Sequence, residues 1–112
     1  MLNNDPQLDQ LFQALADGNR RAMIDRLAKQ RLSVSALAKP MTISLPAVMQ
    51  HLAVLEQCGI VRTEKVGRVR TCTLDTAALS RAEQWIAQRR QFWNGRLDAL
   101  GAFLDQEETP HD

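Results

Sequence analysis

The sequence predicts a mainly α fold with one small β-hairpin (α+β), in the order α-α-α-α-β-β-α. Three observations predict it. Apolar residues recur at helical spacing over most of the chain, as in Leu8, Leu11, Phe12, Leu15 and Ala16. Two β-branched, alternating runs, "IVRTEKV" and "RVRTCTL", flank Gly67. Residues that cap or break helices, among them Ser33, Pro40, Ser44 and Gly59, cut the helical stretches into short pieces.

The first helix is expected over about 6–16, opened near Pro6. "ADGN" breaks it, and Asp17 or Asn19 can cap the next helix. There Met23, Ile24, Leu27 and Ala28 form the expected buried face, with Arg20, Arg21, Asp25, Arg26 and Lys29 mostly outside. "RLS" reads as a turn. Ser33 can cap a short third helix whose Val34, Leu37 and Ala38 face inward, and Pro40 ends it. After the tight turn "MTIS", a fourth helix over about 44–58 is capped by Ser44 and carries Pro46 in its first turn, where a missing N–H does little harm. Val48, Leu52 and Leu55 are its core positions, and Gly59 stops it. The hairpin occupies about 60–74. A last helix over about 76–106 bears a long apolar face from Ala78, Ala82, Trp85 and Ile86 to Phe103 and Leu104. The tail "QEETPHD" is acidic and expected to fray.

A chain of 112 residues is enough for one domain, 1–112, with a single modest core. No apolar run approaches the roughly 20 residues of a membrane span. "MLNNDPQ" has neither a basic nor an apolar signal region, so a cytoplasmic protein is expected. Two cysteines, Cys58 and Cys72, do not make the dense framework of a small secreted domain and read as reduced thiols.

The net charge of +1 conceals a segregation. Between Gly18 and Leu74 ten basic residues face three acidic ones, whereas the remainder has four basic and ten acidic. A basic middle between acidic ends suits an anionic partner.

The third and fourth helices with their turn have the form of a helix-turn-helix, and a basic hairpin directly after it is a wing. A recognition helix offers its first turns to base edges in the major groove of double-stranded DNA. Ser44, Gln50 and His51 can exchange hydrogen bonds there; Leu45, Pro46 and Ala47 can meet a thymine methyl or pack on sugar. Ala47, Gln50 and His51 are read as one face, opposite Val48, Leu52 and Leu55. The helix has no Arg or Lys. Backbone contacts are therefore assigned to Arg62, Lys65, Arg68 and Arg70 of the wing and to Arg20 and Arg21, with Arg68 at the tip suited to a minor groove. Taken singly, Gln50 and His51 are ordinary surface residues, and basic residues also guard sheet edges. Their consecutive placement and common sign favour DNA.

"LFQALADGNRRAMIDRLA" resembles the LF-x-ALAD-P-x-R-R opening of ArsR-type winged-helix repressors. "ISLPAVMQHLAVLEQCGIVRTEKVGRVRTCTL" resembles their recognition helix and wing. The resemblance runs from about Leu11 to Leu104. It implies a homodimer whose first and last helices form the interface, each subunit placing one recognition helix on a palindromic operator. Leu8, Leu11, Phe12, Trp85, Phe92, Trp93, Leu97 and Leu100 are the matching interface candidates.

Relatives of this kind often release DNA on binding metal. The position of their Cys-Val-Cys element reads Ser33, Val34, Ser35 here, and hydroxyls are poor ligands for soft metals. Their second site uses Asp and His on the last helix; no histidine lies between Thr76 and Gln106, and Asp98 alone is not a site. Of the remaining ligands His51, Cys58, Cys72 and His111, the first two lie about 10.5 Å apart along one helix, too far for one ion. No metal or cofactor is expected. Cys58 and Cys72 remain a candidate redox pair or simply two small buried residues. Paired carboxylates, a Gly-rich phosphate loop and triad spacing are missing, so no enzyme is expected. The rival reading is a winged-helix protein-interaction module without specific DNA binding.

Overall fold

In the computed structural model, which describes residues 5–108, five helices and three short strands follow one another: α1 (Pro6–Leu15), α2 (Gly18–Lys29), β1 (Leu32–Ser33), α3 (Val34–Ala38), α4 (Leu45–Gln57), β2 (Val61–Val66), β3 (Val69–Leu74) and α5 (Thr76–Glu108). Residues 109–112, His111 among them, lie outside the described part. The chain divides into two units, the first ending at Ala82 and the second beginning at Glu83, with α5 starting in the first and continuing through the second.

Each helix of the first unit starts where a short polar side chain can accept an orphan N–H. Asp5 accepts from Leu8 N, Asp17 from Arg20 N, Ser33 from Ala36 N and Ser44 from Ala47 N. Asp17, rather than Asn19, is thus the cap of α2. The far end of α4 closes by the Schellman pattern: Gly59 N–H donates to Glu56 O and Ile60 N–H to Leu55 O, both at 3.0 Å, with Gly59 at φ 80°. Leu55 and Ile60, on the two sides of this turn, are both fully buried in the same core cluster.

The strands form an antiparallel sheet in the order β1-β3-β2. β1 was not expected; "RLS" reads as a turn because two residues carry no periodicity. Leu32 pairs with Cys72 and Ser33 with Thr71, a non-local match that fastens the wing's second strand to the start of α3. The hairpin turn has two residues, Gly67 and Arg68, rather than one, since Val66 pairs with Val69. Gly67 has φ 64° and Arg68 does not have a positive φ, the arrangement of a type II′ turn.

The core of the first unit gathers one face from every element: Leu11 and Ala14 of α1, Met23 and Leu27 of α2, Leu37 of α3, Val48, Leu52 and Leu55 of α4, Ile60 and Val61 at β2, Cys72 of β3, and Ala78 and Ala82 of α5. Ala28, expected inside, is exposed, because the stripe on α2 is narrower than a full helical face. Arg26, expected outside, is half-buried: its guanidinium donates to Leu37 O and to Ala36 O (3.0 Å), satisfying the carbonyl end of the five-residue α3. Leu11 is a correction to the expected interface set, since it is fully buried within the first unit and leaves nothing for a partner to cover.

Two substitutions separate packing from backbone. Leu52→Ala should destabilise by about 3 kcal/mol through lost burial and a cavity. Gly59→Ala should cost about 1 kcal/mol through the left-handed backbone alone, because an added Cβ meets only ordinary contact, 3.8 Å from Ala78 Cβ. Urea titration reads both; equal costs would place a packing defect at Gly59.

Candidate nucleic-acid interface

The faces of α4 follow from its pitch. At about 100° per residue, Gln50 lies about 160° from Val48, well away from the buried side, while His51 lies only about 60° from it. Burial agrees. Val48, Leu52 and Leu55 are buried, Ser44, Leu45, Pro46, Met49 and Gln50 are exposed, and Ala47 is half-buried. The free face is thus built from Leu45, Pro46, Met49, Gln50 and Ala53. His51 does not share it, a correction to the expected Ala47–Gln50–His51 face. The side chain of His51 is only 19% exposed and turns to the corner between α1 and α2.

That corner is organised by Arg20. Its Nε donates to Ala14 O and its Nη2 to Gln13 O, both at 2.8 Å, closing the last turn of α1. Its Nη1 lies 3.2 Å from Nδ1 of His51. Asp17 stands beside them, its Oδ1 accepting Arg20 N–H at 3.1 Å and lying 3.9 Å from His51 Nδ1. Arg21 adds a bond from Nη1 to Leu15 O at 2.6 Å, though its side chain remains exposed. Both arginines were expected to hold DNA backbone; Arg20 in this geometry is a structural tie between α1, α2 and α4. Sequence reasoning missed this role. The signal available was an arginine placed directly after a helix break, within reach of the carbonyls the break leaves open.

The wing is arranged differently. Arg62, Lys65, Arg68 and Arg70 are all exposed. Arg62, at the base, pairs with Asp75 (Nε to Oδ2, 3.5 Å), an exposed ion pair of small energetic weight. Asp75 also accepts Ala77 N–H at the start of α5. Nearer the tip Lys65 stands directly opposite Arg70. Alternation places this pair on the same side of the hairpin as Val61 and Cys72, the side that packs against the core. Like charges directly opposite one another destabilise a hairpin. Val66 and Val69, paired and exposed, flank Gly67 and Arg68 at the tip.

Cys58 and Cys72 are both free and buried. Burial first, and then the Glu56 carboxylate, push the Cys72 thiol up from its ordinary pKa. The thiolate required for disulfide exchange is therefore disfavoured there. Among the described residues no group of three or more His, Cys, Asp or Glu side chains gathers to hold a metal, and no helix is long and apolar enough to cross a membrane.

The acceptor role of Asp17 has a pH signature. The bond from Arg20 N–H, with smaller help from the charges of His51 and Arg20, holds its carboxyl below the usual value. A lowered folded-state pKa contributes stability above the unfolded value, about 3.9, and that contribution is lost as pH falls through the folded pKa. Asp17→Asn should therefore remove part of the acid-side slope of stability below about pH 4, while leaving the slope near neutrality unchanged. Urea midpoints across pH read it, and an unaltered acid limb would count against the cap.

Comparison with known proteins agrees with this geometry. Residues 15–64 match the helix-turn-helix domain family. The HTH-type transcriptional regulator Rv2034 of Mycobacterium tuberculosis is 37% identical over 99 residues, which cover 88% of this chain and 90% of the relative. A transcriptional repressor SmtB homolog of Synechocystis is 37% identical over 67 residues, 60% of this chain and 51% of that protein. The crystal structure of an ArsR family transcriptional regulator superposes with a TM-score of 0.77 at 42% identity, covering 84% of this chain and 97% of the other. With its helix-turn-helix, its wing and relatives that match almost from end to end, the chain belongs to the ArsR family of transcriptional regulators.

Proposed function

We propose that the protein is a dimeric transcriptional repressor that reads a palindromic operator in double-stranded DNA. The observation that carries the reading is the Lys65–Arg70 pair, two cations held opposite one another on the core side of an exposed wing. Such a pair weakens the hairpin and gains from an anion between or beside it. The free face of α4, which has no charge, supplies the complementary half: Ser44, Leu45, Ala47 and Gln50 meet base edges in the major groove, and Lys65, Arg68, Arg70 and Arg62 hold phosphates. The Ser44 hydroxyl already accepts Ala47 N–H, which leaves its proton and one lone pair for a base edge. Arg21, exposed on α2, can add a backbone contact, whereas Arg20 is committed to the carbonyls of α1. The name of the Synechocystis relative supports repression as the outcome.

Dimerisation rests on the second unit. Ile86, Phe92, Trp93, Leu97, Leu100, Phe103 and Leu104 of α5 are exposed, Phe92 by 60%, Trp93 by 59% and Leu97 by 63%. Ile86, Trp93, Leu97, Leu100 and Leu104 follow the alternating spacing of three, four and seven that marks a helix-pairing seam. A stripe this long on a separate unit needs a cover, and a second copy supplies the same stripe. Arg89 stacks over the Trp85 ring at 4.5 Å and Arg96 near Phe92 at 5.8 Å, so two of the aromatic groups carry a polar rim of their own. In the first unit, exposed Phe12 and half-buried Leu8 of α1 are interface candidates of their own.

Salt titration of binding to the DNA upstream of the protein's own gene, with random DNA beside it, tests the reading. A specificity ratio above about a thousand is expected. Arg68→Ala and Lys65→Ala should each weaken binding to both DNAs and reduce the salt slope by about one unit. Lys65→Ala should at the same time stabilise the fold by a few tenths of a kcal/mol, about the size of a relieved cross-strand repulsion. An unchanged slope with unchanged stability would remove the pair from the interface. Gln50→Ala should alter which sequence is preferred; a uniform loss would show that Gln50 does not read bases. Equal, weak binding to both DNAs would favour the protein-interaction reading.

The interface is tested by charge. Trp93→Glu together with Leu97→Glu should convert the protein from dimer to monomer in sedimentation, and operator affinity should fall with it. A monomeric unaltered protein, or a dimer that survives both charges, would overturn the assignment.

A further inference from the structure

His51 is the one side chain of α4 that is polar, largely enclosed and held by another element, and the nature of its holder decides its chemistry. A guanidinium has only N–H groups and does not lose a proton in proteins. With Arg20 Nη1 at 3.2 Å, His51 Nδ1 must therefore be the acceptor. Asp17 Oδ1, at 3.9 Å, lies beyond hydrogen-bond reach of the same nitrogen and does not compete for it. The neutral ring then carries its proton on Nε2. Among the described residues Nε2 has no hydrogen-bond partner, and it is not among the buried polar atoms that lack one, so it reaches solvent. The ring is thus clamped at one nitrogen and open at the other, about 100° around from Gln50 at the edge of the helix that the functional reading places in the groove.

We propose that Arg20 is a positioning residue that fixes His51 as an Nε2–H donor aimed at a hydrogen-bond acceptor of the DNA. The inference rests on the operator reading above and adds a donor whose direction a second side chain fixes, on a helix without Arg or Lys. Arg20 acts on DNA only through His51. Its Nε and Nη2 bonds to the carbonyls of α1 hold the guanidinium still, so the ring it clamps is held still as well. Protonation of His51 would replace the acceptor by a second donor and break the clamp.

The test has two arms. In the free protein, the ring-nitrogen shifts of His51, assigned with a His111→Ala variant, are read at mildly alkaline pH. The Nε2–H tautomer is expected, with the preference lost in Arg20→Ala; a proton on Nδ1 in the unaltered protein overturns the proposal. In the second arm, binding is measured to the upstream DNA and to random DNA. His51→Ala and Arg20→Ala should each lose about tenfold, the worth of one hydrogen bond to a charged or strongly polar acceptor. The double variant should lose no more than either alone, since both remove the same contact. Additive losses overturn the coupling.

Arg20 also closes α1, so His51→Gln serves as the second variant. Glutamine keeps an N–H donor at similar reach and should bind within about threefold of the unaltered protein. A loss equal to that of His51→Ala overturns the donor role. A loss shared by both DNAs assigns the acceptor to a phosphate oxygen, and one confined to the upstream DNA assigns it to a base edge. An unaltered protein that binds neither DNA overturns the operator reading and the donor role together. One that binds specifically while His51→Ala binds equally well overturns the donor role alone.

Discussion

Burial of Val48, Leu52 and Leu55 along one side of α4 is the constraint on which the rest of the arrangement depends. A helix held by one apolar stripe cannot rotate without exposing it, and each of these side chains is worth roughly 1.5–3 kcal/mol when fully buried. The stripe therefore selects which residues remain outside. Leu45, Pro46, Met49 and Gln50 are free because their neighbours are not. The Ser44 cap and the Schellman turn at Gly59 set the two ends of the helix, so the face is fixed in length as well as in rotation.

Arginine does two kinds of work in this chain. Arg20, Arg21 and Arg26, all on α2, donate to backbone carbonyls at the ends of α1 and α3. Short helices leave a large share of their carbonyls unmet, and a planar fork with five donors can meet several at once. The basic surplus between Gly18 and Leu74 is consequently not one patch. Part of it stitches the helices together, and the part on the wing, from Arg62 to Arg70, stands in solvent with, among the described residues, one weak ion pair, Arg62 to Asp75.

Two features run against the stability of an isolated subunit. Lys65 opposes Arg70 on the wing, and α5 carries a run of large apolar groups in solvent beyond Ala82. Local conflicts of this kind concentrate where a molecule meets something else. One calls for negative charge and the other for apolar surface, in keeping with the nucleic acid and the second copy of the chain proposed above as partners. The cysteines, by contrast, conflict with nothing: both sit as small buried groups, and the raised Cys72 pKa follows from that burial.

Helix and hairpin positions were legible in the sequence because they depend on local rules. Caps at Ser33 and Ser44, the stop at Gly59 and the alternation around Gly67 act within a few residues, and apolar periodicity identifies Val48, Leu52 and Leu55 as core. The family resemblance added the joint order of the elements. Side-chain partnerships were not legible, because they join residues far apart in the chain. Arg20 and His51 are 31 positions apart, and Arg26 reaches Leu37 across a loop. The two-residue strand β1 exists only because β3 lies beside it. Leu11 looks like interface on a helical wheel and is core because α1 packs it against the other elements of the first unit. Local propensity sets what each segment becomes; the packing of distant segments sets which of its groups remain free to act.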